Sequence, residues 1–566
     1  MKKQLVECVP NFSEGRDMAI INQITDTIKS VEGVSLLDVD PGYATNRTVV
    51  TFIGEPKQVC EAAFAAIRKA QELIDMRGHH GEHPRMGATD VCPLVPVANI
   101  TMEETVKYAK ALAKRVGEEL EIPVYCYEAA ASTPERKNLA VVREGEYEGL
   151  ANKLANPNMK PDFGPDKWNE SIAKSGASVI GARDFLLAVN FNLNTTSTRR
   201  ANAIAFDVRE KGRVKREGNP ITGKKVLDAN GHEVMIPGTL KGTKAIGWFI
   251  KEYGIAQVSM NITDMKATPL HVAFEEVCAK AAARGVRVTG TEIVGLVPKV
   301  VLMDAGKYFL AKQNRSAGIA ESEIIKIAVR SMGLDNLGAF NPKEKVIEYL
   351  IADKTEKLVD MTCDGFAEET ASESPAPGGG SISAYMGALG AALGTMVANL
   401  SAHKPGWDDR WEFFADYAAE GHEIMTELLH LVDEDTAAFN GIMAVFGMPK
   451  STPEEKKARA KAMEKATLYA TEVPLHTMQC AFRAFPIIKA MAEHGNPNSV
   501  SDAGVGALAT RSAILGAFLN VKINAAGLKD REKAEKLVSD AQLIADQATI
   551  LESEILKTVN SIIDKN

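Results

Sequence analysis

Residues 76–93 read MRGHHGEHPRMGATDVCP, and this stretch decides how the first half of the chain is interpreted. Three of the ten histidines lie there within five positions, at His79, His80 and His83. Glycines and a proline break any regular element, while segments typical of helices and strands lie on both sides. We therefore expect a shaped loop on an α/β scaffold. Because imidazole titrates near neutral pH, the loop is a candidate site of proton transfer; the alternative is an ordinary polar surface loop.

The run HHGEH at residues 79–83 also matches H-x-x-E-H, a zinc motif of one peptidase class when the run lies on a helix. Gly81 weakens a helix, and Pro84 favours an extended conformation at His83. We therefore predict neither a helix nor a metal here. A zinc metallopeptidase-like hydrolase that uses this run, Glu82 included, is kept as an alternative.

Composition limits the class of protein. A chain of 566 residues should hold several domains, and a net charge of −8 argues against general affinity for nucleic acid. The seven cysteines are odd in number and contain no C-x-x-C pair, which argues against a disulfide framework. The first residues include no apolar signal segment, so we expect a cytoplasmic protein.

One stretch raises the question of a membrane. Residues 381–400 are almost uncharged and about long enough to span a bilayer. They are also rich in glycine and alanine, which let helices approach closely. We expect a buried core helix and no association with a membrane.

The pattern of elements changes along the chain. Strands and helices alternate in an α/β (α+β) module of two parts, for which we predict ranges 1–180 and 181–335. The order strand, helix, two strands, helix, strand occurs in both parts, with a hairpin excursion at 212–240. After a linker at 336–360, residues 361–566 predict an all-α helical bundle. Apolar residues at spacings of three and four along 537–562 predict a packing seam, through which the bundle could self-associate.

Two features of the predicted bundle suggest chemistry. Three glycines and a serine precede its first long helix, namely Gly378, Gly379, Gly380 and Ser381. Backbone N–H groups at such a helix start favour an anion. Further on, the run LVDEDTAAF at 431–439 places Asp435 on the apolar side of a helix, although spacing alone favours a surface acid or a structural ion pair.

Several long motifs occur together in order. The first part contains LVECVPNFSEG, LLDVD, TNRTV, HHGEHPRMGA, PDFGP and the GAR of 181–183; the second contains APGGGS, GALGAALG, VDEDTAAF and GAFLNVKIN. On these motifs the chain resembles the formimidoyltransferase-cyclodeaminase family of bifunctional folate enzymes of histidine degradation. The resemblance covers nearly the whole chain.

This resemblance implies two reactions. A glutamate formimidoyltransferase moves the formimino group from N-formimino-L-glutamate to N5 of tetrahydrofolate. A formimidoyltetrahydrofolate cyclodeaminase then closes 5-formiminotetrahydrofolate to 5,10-methenyltetrahydrofolate and releases ammonia. It also implies small-molecule substrates, tetrahydrofolate that is polyglutamylated as co-substrate, no metal, and a homo-oligomer built on dimers. A non-catalytic folate-binding scaffold remains an alternative.

The resemblance assigns roles to residues. His83 is the base and acid of transfer, Asp435 is the proton donor of ring closure, and the glycine-rich loop at 378–381 meets the anion or pterin. We add Asp40 as the carboxylate that orients His83. The folate-binding candidates are Asp162, Gly164, Pro165 and Gly176, together with Arg85 for a substrate carboxylate. A structural ion pair is the alternative for Arg85.

Overall fold

A computed structural model describes residues 4–43, 45–81, 83–218, 222–352 and 357–565. The chain divides into two compact units: residues 1–302 with 332–352, here called the mixed unit, and residues 303–331 with 353–566, here called the helical unit. The predicted layout of a mixed α/β part followed by a helical part is confirmed at this level.

The strands all lie in the mixed unit among the described residues. They are β1 (Leu5–Cys8), β2 (Asn11–Phe12), β3 (Val34–Gly42), β4 (Arg47–Gly54), β5 (Thr89–Ala98), β6 (Val124–Glu128), β7 (Ser178–Ala182), β8 (Leu187–Leu193), β9 (Arg213–Val214), β10 (Met235–Ile236), β11 (Thr243–Ile250), β12 (Ile255–Ile262) and β13 (Val288–Val294).

The helices of the first 352 residues are α1 (Met18–Lys29), α2 (Pro56–Leu73), α3 (Met102–Glu119), α4 (Leu139–Val142), α5 (Leu150–Ala155), α6 (Glu170–Ser175), α7 (Thr198–Val208), α8 (Leu270–Ala282), α9 (Lys299–Lys312), α10 (Glu321–Met332), α11 (Pro342–Lys345) and α12 (Ile347–Leu350). Those that follow are α13 (Cys363–Ala371), α14 (Gly379–Ala402), α15 (Trp411–Phe446), α16 (Pro453–Phe482), α17 (Ala484–His494), α18 (Val500–Ala526) and α19 (Arg531–Ile563).

Two sheets of the mixed unit share one topology. In the second sheet the strand order is β11-β12-β8-β13, and every neighbouring pair is antiparallel. In the first sheet β3-β4-β1-β5 repeats that order with the same antiparallel pairing. The first sheet then continues through β7 and β6, which pair in parallel. The predicted repeat of strand, helix, two strands, helix, strand therefore forms two halves with one architecture.

Alternation along β1 separates two faces of the first sheet. Val6 and Cys8 point into the apolar core beneath α1, α2 and α3. Glu7 therefore points to the opposite face, because successive strand side chains alternate. The loop that contains His83 leads directly into β5 of this same sheet.

The excursion after α7 is a hairpin, as its Asn230-Gly231 pair predicts. The short strands β9 and β10 pair, and Gly231 has a φ of +82°, a left-handed conformation that glycine adopts without strain. Asp228 accepts hydrogen bonds from the backbone of Asn230 (2.8 Å) and His232 (2.9 Å). Residues 219–221 of this excursion lie outside the described residues.

The compact units divide the chain differently from the predicted ranges at one place. Residues 303–331 belong to the helical unit, and 332–352 belong to the mixed unit. The reason is local packing. Gly318 has no side chain, and a Cβ built there would lie 2.7 Å from that of Ala418. Asn399 donates a hydrogen bond of 2.6 Å to the carbonyl of Gly318.

Small residues let the long helices of the helical unit pack closely. A Cβ on Gly390 of α14 would lie 3.0 Å from the backbone nitrogen of Thr510 on α18. Ala384, Ala388 and Ala391 of α14 belong to the apolar core. The predicted role of 381–400 as a core helix agrees with this packing.

Two stretches of the described chain, Gly379–Ala402 and Pro497–Ala526, are long and apolar enough to cross a membrane by length and composition alone. In the first, 61% of the most apolar window is buried within the protein, and in the second 50%. Core helices of soluble proteins meet the same criterion. The sequence pattern pointed only to the first stretch as a possible membrane span, and the second was not expected.

The seam of α19 packs inside the helical unit. Ala541, Ala548, Ile555 and Val559 belong to the same apolar core as α14 and α18. The spacing along 537–562 therefore predicted a packing seam correctly, but the partner of that seam is the chain itself.

Candidate active sites

Asn46 anchors the histidine loop. Its side-chain oxygen accepts a hydrogen bond from the backbone of Gly15 (3.1 Å), and its amide donates one to the carbonyl of His80 (3.1 Å). The carbonyl of Asn46 accepts a hydrogen bond of 2.8 Å from Nε2 of His79. The end of the β3–β4 hairpin thus holds residues 79–80 in place.

The backbone of the HHGEH run is not helical at 79–81 or at His83, as predicted, and Glu82 lies outside the described residues. A Cβ on Gly81 would collide with the carbonyl of Thr45, so the close approach of the loop to the hairpin requires a glycine. Among the described residues, no group of three or more His, Cys, Asp or Glu side chains is arranged to hold a metal ion.

His83 lies between a carbonyl group and a guanidinium. Its Nδ1 donates a hydrogen bond of 2.7 Å to the carbonyl of Pro84, which leaves Nε2 as an acceptor. Nη1 of Arg47 donates to Nε2 at 2.7 Å and lies 3.5 Å from Nδ1 of the same ring. Burial, followed by the charges of Arg47 and Arg143, lowers the pKa of His83 to about 4. His83 is therefore a neutral imidazole with a defined tautomer at neutral pH.

Asp40 does not take the predicted place beside His83. It is exposed on β3, where it pairs with Val49, and the carbonyl of Pro84 holds the Nδ1 of His83 instead. Burial lowers the pKa of Arg47, the charge of Asp90 opposes this effect, and the charge of Asp40 adds a smaller opposition. Among the described residues no hydrogen bond joins Asp40 to His83, so its predicted role in orienting the imidazole gains no support from these contacts.

Arg143, the second arginine near His83, forms an ion pair with Asp90. Asp90 is fully buried and accepts hydrogen bonds from Nε of Arg143 (3.2 Å) and from its Nη2. The backbone of Met86 donates a third at 3.0 Å. Burial raises the pKa of Asp90, and the charge and hydrogen bonds of Arg143 oppose that effect. Asp90 therefore neutralises the arginine that it contacts.

Arg85 has partners within the protein. Its Nη2 donates to Glu148 (2.7 Å) and to the carbonyl of His79 (3.1 Å), and its Nη1 donates to Glu148 (2.9 Å) and Glu146 (3.3 Å). Its Nε donates to Nδ1 of His79 at 3.3 Å. These contacts support the role of a structural ion pair. Each N–H group of the Arg85 guanidinium has a partner within the protein, so none is free to bind a substrate carboxylate. An open cavity of about 420 Å³ adjoins this group.

The predicted folate-binding residues lie in two places. Asp162 accepts hydrogen bonds from the backbone of Cys126 (2.7 Å) and from Arg136 (2.9 Å). Gly164, with a φ of +84°, packs against the carbonyl of Ile122, and the half-buried Pro165 follows. These contacts attach residues 162–164 to β6 and its surroundings, so this part of the segment has a structural role.

Gly176 belongs to the histidine stretch. It has a φ of +68°, forms a bridge with Gly87, and leaves no room for a Cβ beside the carbonyl of Met86. The end of the predicted folate segment therefore contacts the stretch that contains His83, whereas Asp162 and Gly164 contact β6 and its surroundings.

A second site joins two predicted features of the helical unit. Ser381, in the first turn of α14, donates a hydrogen bond of 3.1 Å from its Oγ to Oδ2 of Asp435 on α15. Thr436 lies 3.3 Å from the same Oγ. Burial raises the pKa of Asp435, and hydrogen bonds from Ser381 oppose the rise. Asp433, by contrast, accepts a hydrogen bond of 2.7 Å from the backbone of Leu358.

A carboxyl group of the protein itself lies at the glycine-rich loop. The carboxyl group of Asp435 lies against Gly380, which has no side chain. Gly378 and Gly379 lie beside this contact at the start of α14, where a Cβ on Gly379 would be 3.4 Å from the amide nitrogen of Asn520. The loop therefore brings a carboxyl group and an amide to one helix N-terminus.

Comparison with known proteins matches both sites to one family. Models described as the N-terminal subdomain of the formiminotransferase domain, the formiminotransferase domain, and formiminotransferase-cyclodeaminase match residues 5–183, 188–352 and 362–543. A formimidoyltransferase-cyclodeaminase of Dictyostelium discoideum is 41% identical over 561 residues, which are 99% of each chain. One of Gallus gallus is 43% identical over 94% of each chain. A glutamate formimidoyltransferase of Thermoplasma acidophilum is 43% identical over 57% of this chain and 98% of its own length.

The chain belongs to the formimidoyltransferase-cyclodeaminase family. Its membership covers both units and both sites, since His83 lies in the first matched range and Asp435 in the last. The resemblance stated from the motifs is confirmed, and the metallopeptidase alternative has no support.

Sequence reasoning missed the side chains that surround His83 in this member of the formimidoyltransferase-cyclodeaminase family. Asn46 and Arg47 stand in the TNRTV motif, which signalled the resemblance without revealing that both face the histidine loop. Arg143 and Asp90 lie 53 positions apart, so no local pattern connects them.

Proposed function

We propose that the mixed unit transfers the formimino group of N-formimino-L-glutamate to N5 of tetrahydrofolate, and that the helical unit closes the product to 5,10-methenyltetrahydrofolate. The observation that supports this division is a contrast between two groups. His83 is held neutral, as a proton acceptor must be, whereas burial raises the pKa of Asp435, as a proton donor requires.

In the transfer step, N5 attacks the formimino carbon and its proton passes to Nε2 of His83. The bond from that carbon to the α-nitrogen of glutamate then breaks, and the imidazolium returns the proton to this nitrogen. L-Glutamate and 5-formiminotetrahydrofolate result. The hydrogen bond from Nδ1 to Pro84 keeps Nε2 as the reacting nitrogen throughout.

In the closing step, N10 attacks the formimino carbon and its proton moves to the exocyclic nitrogen. The protonated carboxyl group of Asp435 then gives a proton to this nitrogen, which departs as ammonia. The methenyl bridge and an Asp435 carboxylate remain. Hydrogen bonds from Ser381 stabilise that carboxylate, so the acid can release its proton.

The variant His83→Ala tests the division between sites. Transfer should fall by about 100- to 10,000-fold, the usual contribution of a general acid–base group, whereas ring closure of supplied 5-formiminotetrahydrofolate should continue. Unchanged transfer would remove His83 from the mechanism. Loss of both reactions with an intact fold would contradict separate sites, and absence of both from the parent would favour a non-catalytic folate-binding scaffold.

We propose further that neither reaction uses a metal and that the folate is polyglutamylated. Nitrogen and carboxyl groups of the chain suffice for every proton that the two steps move. Dialysis against a strong chelator should leave both activities unchanged, and loss restored by added zinc would contradict this. Comparing mono- and polyglutamyl tetrahydrofolate as substrates tests the second point through their KM values.

For the assembly we propose a cytoplasmic homo-oligomer built on dimers, with 361–566 as its all-α bundle. Apolar side chains remain exposed along α14 and α18, and a second copy would cover them: Leu389, Met396, Leu400, Val505, Leu508, Leu519 and Ile523. Sedimentation of the purified chain tests this, and a monomer at micromolar concentration would contradict it. We also propose 1–180, 181–335 and 361–566 as domain ranges around a linker at 336–360.

A further inference from the structure

The reactive nitrogen of His83 has a guanidinium as its hydrogen-bond partner. Arg47 donates to Nε2 at 2.7 Å, and a guanidinium has no lone pair with which to take a proton onward. While this hydrogen bond persists, Nε2 cannot accept the proton of N5. Transfer therefore requires Arg47 to move away from Nε2.

The charges around His83 leave an arginine available for an anion. The charged groups that face the imidazole are Arg47 from β4 and Arg143 from the segment after α4. Asp90 makes its side-chain to side-chain hydrogen bonds with Arg143, and its charge, together with that of Asp40, acts on Arg47 without a hydrogen bond. Across the part of the chain that the structure describes, the hydrogen-bond partner of the Arg47 side chain is His83. Arg47 is largely removed from water and donates to a neutral imidazole, which is a weaker hydrogen-bond acceptor for a guanidinium than a carboxylate is.

The chemistry of the donor supplies such a carboxylate at the right place. In N-formimino-L-glutamate the α-nitrogen leaves, and the α-carboxylate stands two bonds from it. His83 must return its proton to this nitrogen, so the α-carboxylate necessarily comes close to Nε2. The carboxylates of the folate tail are separated from N5 by the aminobenzoyl group and do not reach this position.

We propose that Arg47 is a substrate-displaced cap, which covers Nε2 of His83 in the free enzyme and moves onto the α-carboxylate of the formimino donor when that donor binds. This inference rests on the proposed transferase function and deepens it. The same side chain then fixes the donor in a bidentate ion pair and exposes the base. A donor without an α-carboxylate would leave the cap in place, so selection of the substrate and activation of the base become one event.

The movement of Arg47 from Nε2 to the α-carboxylate adds no proton to the reaction and removes none. Arg47 remains protonated in both positions and contributes no proton. Nε2 takes the N5 proton as N5 bonds to the formimino carbon, and gives it to the α-nitrogen as the carbon–nitrogen bond breaks. L-Glutamate departs with its carboxylate, and Arg47 returns to Nε2.

The product L-glutamate provides a direct probe, because it contains the α-carboxylate and undergoes no reaction. The full chain would be labelled with [ε1-¹³C]histidine, and the signal of His83 assigned by its loss in His83→Gln. Without ligand its pKa should lie near 4. With saturating L-glutamate the pKa should rise by about one unit or more, since a guanidinium is replaced by solvent beside a bound anion. An unchanged pKa at saturation would overturn the proposal.

A pair of variants provides a second test. Arg47→Gln should raise KM for the donor by about 10- to 100-fold, the usual effect of losing a charge-assisted hydrogen bond, and leave KM for tetrahydrofolate within about threefold. Arg47→Lys should recover part of the donor affinity, because lysine keeps the charge but not the fork. Equal donor KM in parent and Arg47→Gln would overturn the proposal.

One control separates this proposal from the proposed function. Ring closure in Arg47→Gln should equal that of the parent, because Arg47 lies in the mixed unit, and the unchanged KM for tetrahydrofolate shows that the mixed unit of the variant is folded. If the parent itself fails to transfer the formimino group, the proposed function fails. If it transfers normally while L-glutamate leaves the pKa of His83 unchanged, only the cap is refuted.

Discussion

The carboxyl group of Asp435 lies directly against Gly380, so that a Cβ built on this glycine would stand 2.6 Å from Oδ2 and nearer still to Oδ1. The two residues come from different helices, and the hydrogen bond from Ser381 to the same carboxyl group keeps them together. The glycine-rich start of α14 is therefore shaped around an acid of the protein as well as around any ligand.

Replacing Gly380 should damage ring closure specifically. In Gly380→Ala the new methyl group displaces the carboxyl group of Asp435, and a shift of roughly 1 Å in a catalytic group costs on the order of 100-fold in rate. Formimino transfer should remain at the parent rate. Gly441→Ala is the matched control, because a Cβ there meets no atom within 4 Å, and its ring closure should be normal. Normal ring closure in Gly380→Ala would contradict this account.

Asp435→Asn should transfer the formimino group and then accumulate 5-formiminotetrahydrofolate. An amide cannot protonate the leaving nitrogen, so ring closure should slow by about 100- to 10,000-fold. Asp433→Asn is the control on the same helix, and it should be much milder, since Asp433 accepts a hydrogen bond from the backbone of Leu358. Chromatography of the folate products measures both. A parent rate of ring closure in Asp435→Asn would place the acid elsewhere.

A glycine pair tests the anchoring of the histidine loop. Gly81→Ala introduces a Cβ where the carbonyl of Thr45 lies, so the loop must retreat and His83 must shift. Transfer should fall by about 100-fold. Gly78→Ala adds a Cβ with nothing within 4 Å and should transfer normally. Equal activities would show that the loop tolerates displacement.

Glu7 should make the stability of the mixed unit depend on pH. It is 4% exposed, and burial raises its pKa to about 7, although the charge of Arg183 opposes the rise. When folding raises the pKa of a carboxyl group, that group favours the folded state fully at pH values below its pKa in the unfolded chain. This contribution is lost as the pH rises through its pKa in the folded protein. Glu7→Gln should therefore be more stable than the parent at pH 8, by about 1–3 kcal/mol, and equal to it near pH 4. Denaturant unfolding at both pH values measures this, and an equal difference at both would exclude titration of Glu7 as the cause.

Local patterns predicted most of the elements. Thr101 and Glu104 form the capping box that starts α3, and the glycine and proline of the HHGEH stretch keep it from forming a helix. The helix α9 was missed, because Val300, Val301, Leu302 and Met303 are consecutive apolar residues without a helical spacing. Helical periodicity identifies a helix by its one apolar face, and a run of consecutive apolar residues shows no such face.

Partners distant in sequence could not be predicted in this way. Arg85 was a candidate for a substrate carboxylate until its contact with Glu148, 63 positions away, was known. Arg47 had no assigned role, yet the pairing of β3 with β4 places it at the end of a hairpin facing His83. Likewise Ser381 and Asp435 were separate predictions, and folding joins them across 54 positions. Residue type and spacing nominate candidates, whereas the tertiary contacts decide which of them are free to act.

Both reactions are assigned to one chain. The most direct test incubates the purified full chain with N-formimino-L-glutamate and tetrahydrofolate and follows the ultraviolet absorbance of 5,10-methenyltetrahydrofolate, with assays for L-glutamate and ammonia. We predict that all three products form in equal amounts, and that a mixture of His83→Ala and Asp435→Asn restores what each variant lacks alone. A folded parent chain that forms no methenyl product, or a mixture that remains inactive, would contradict the account.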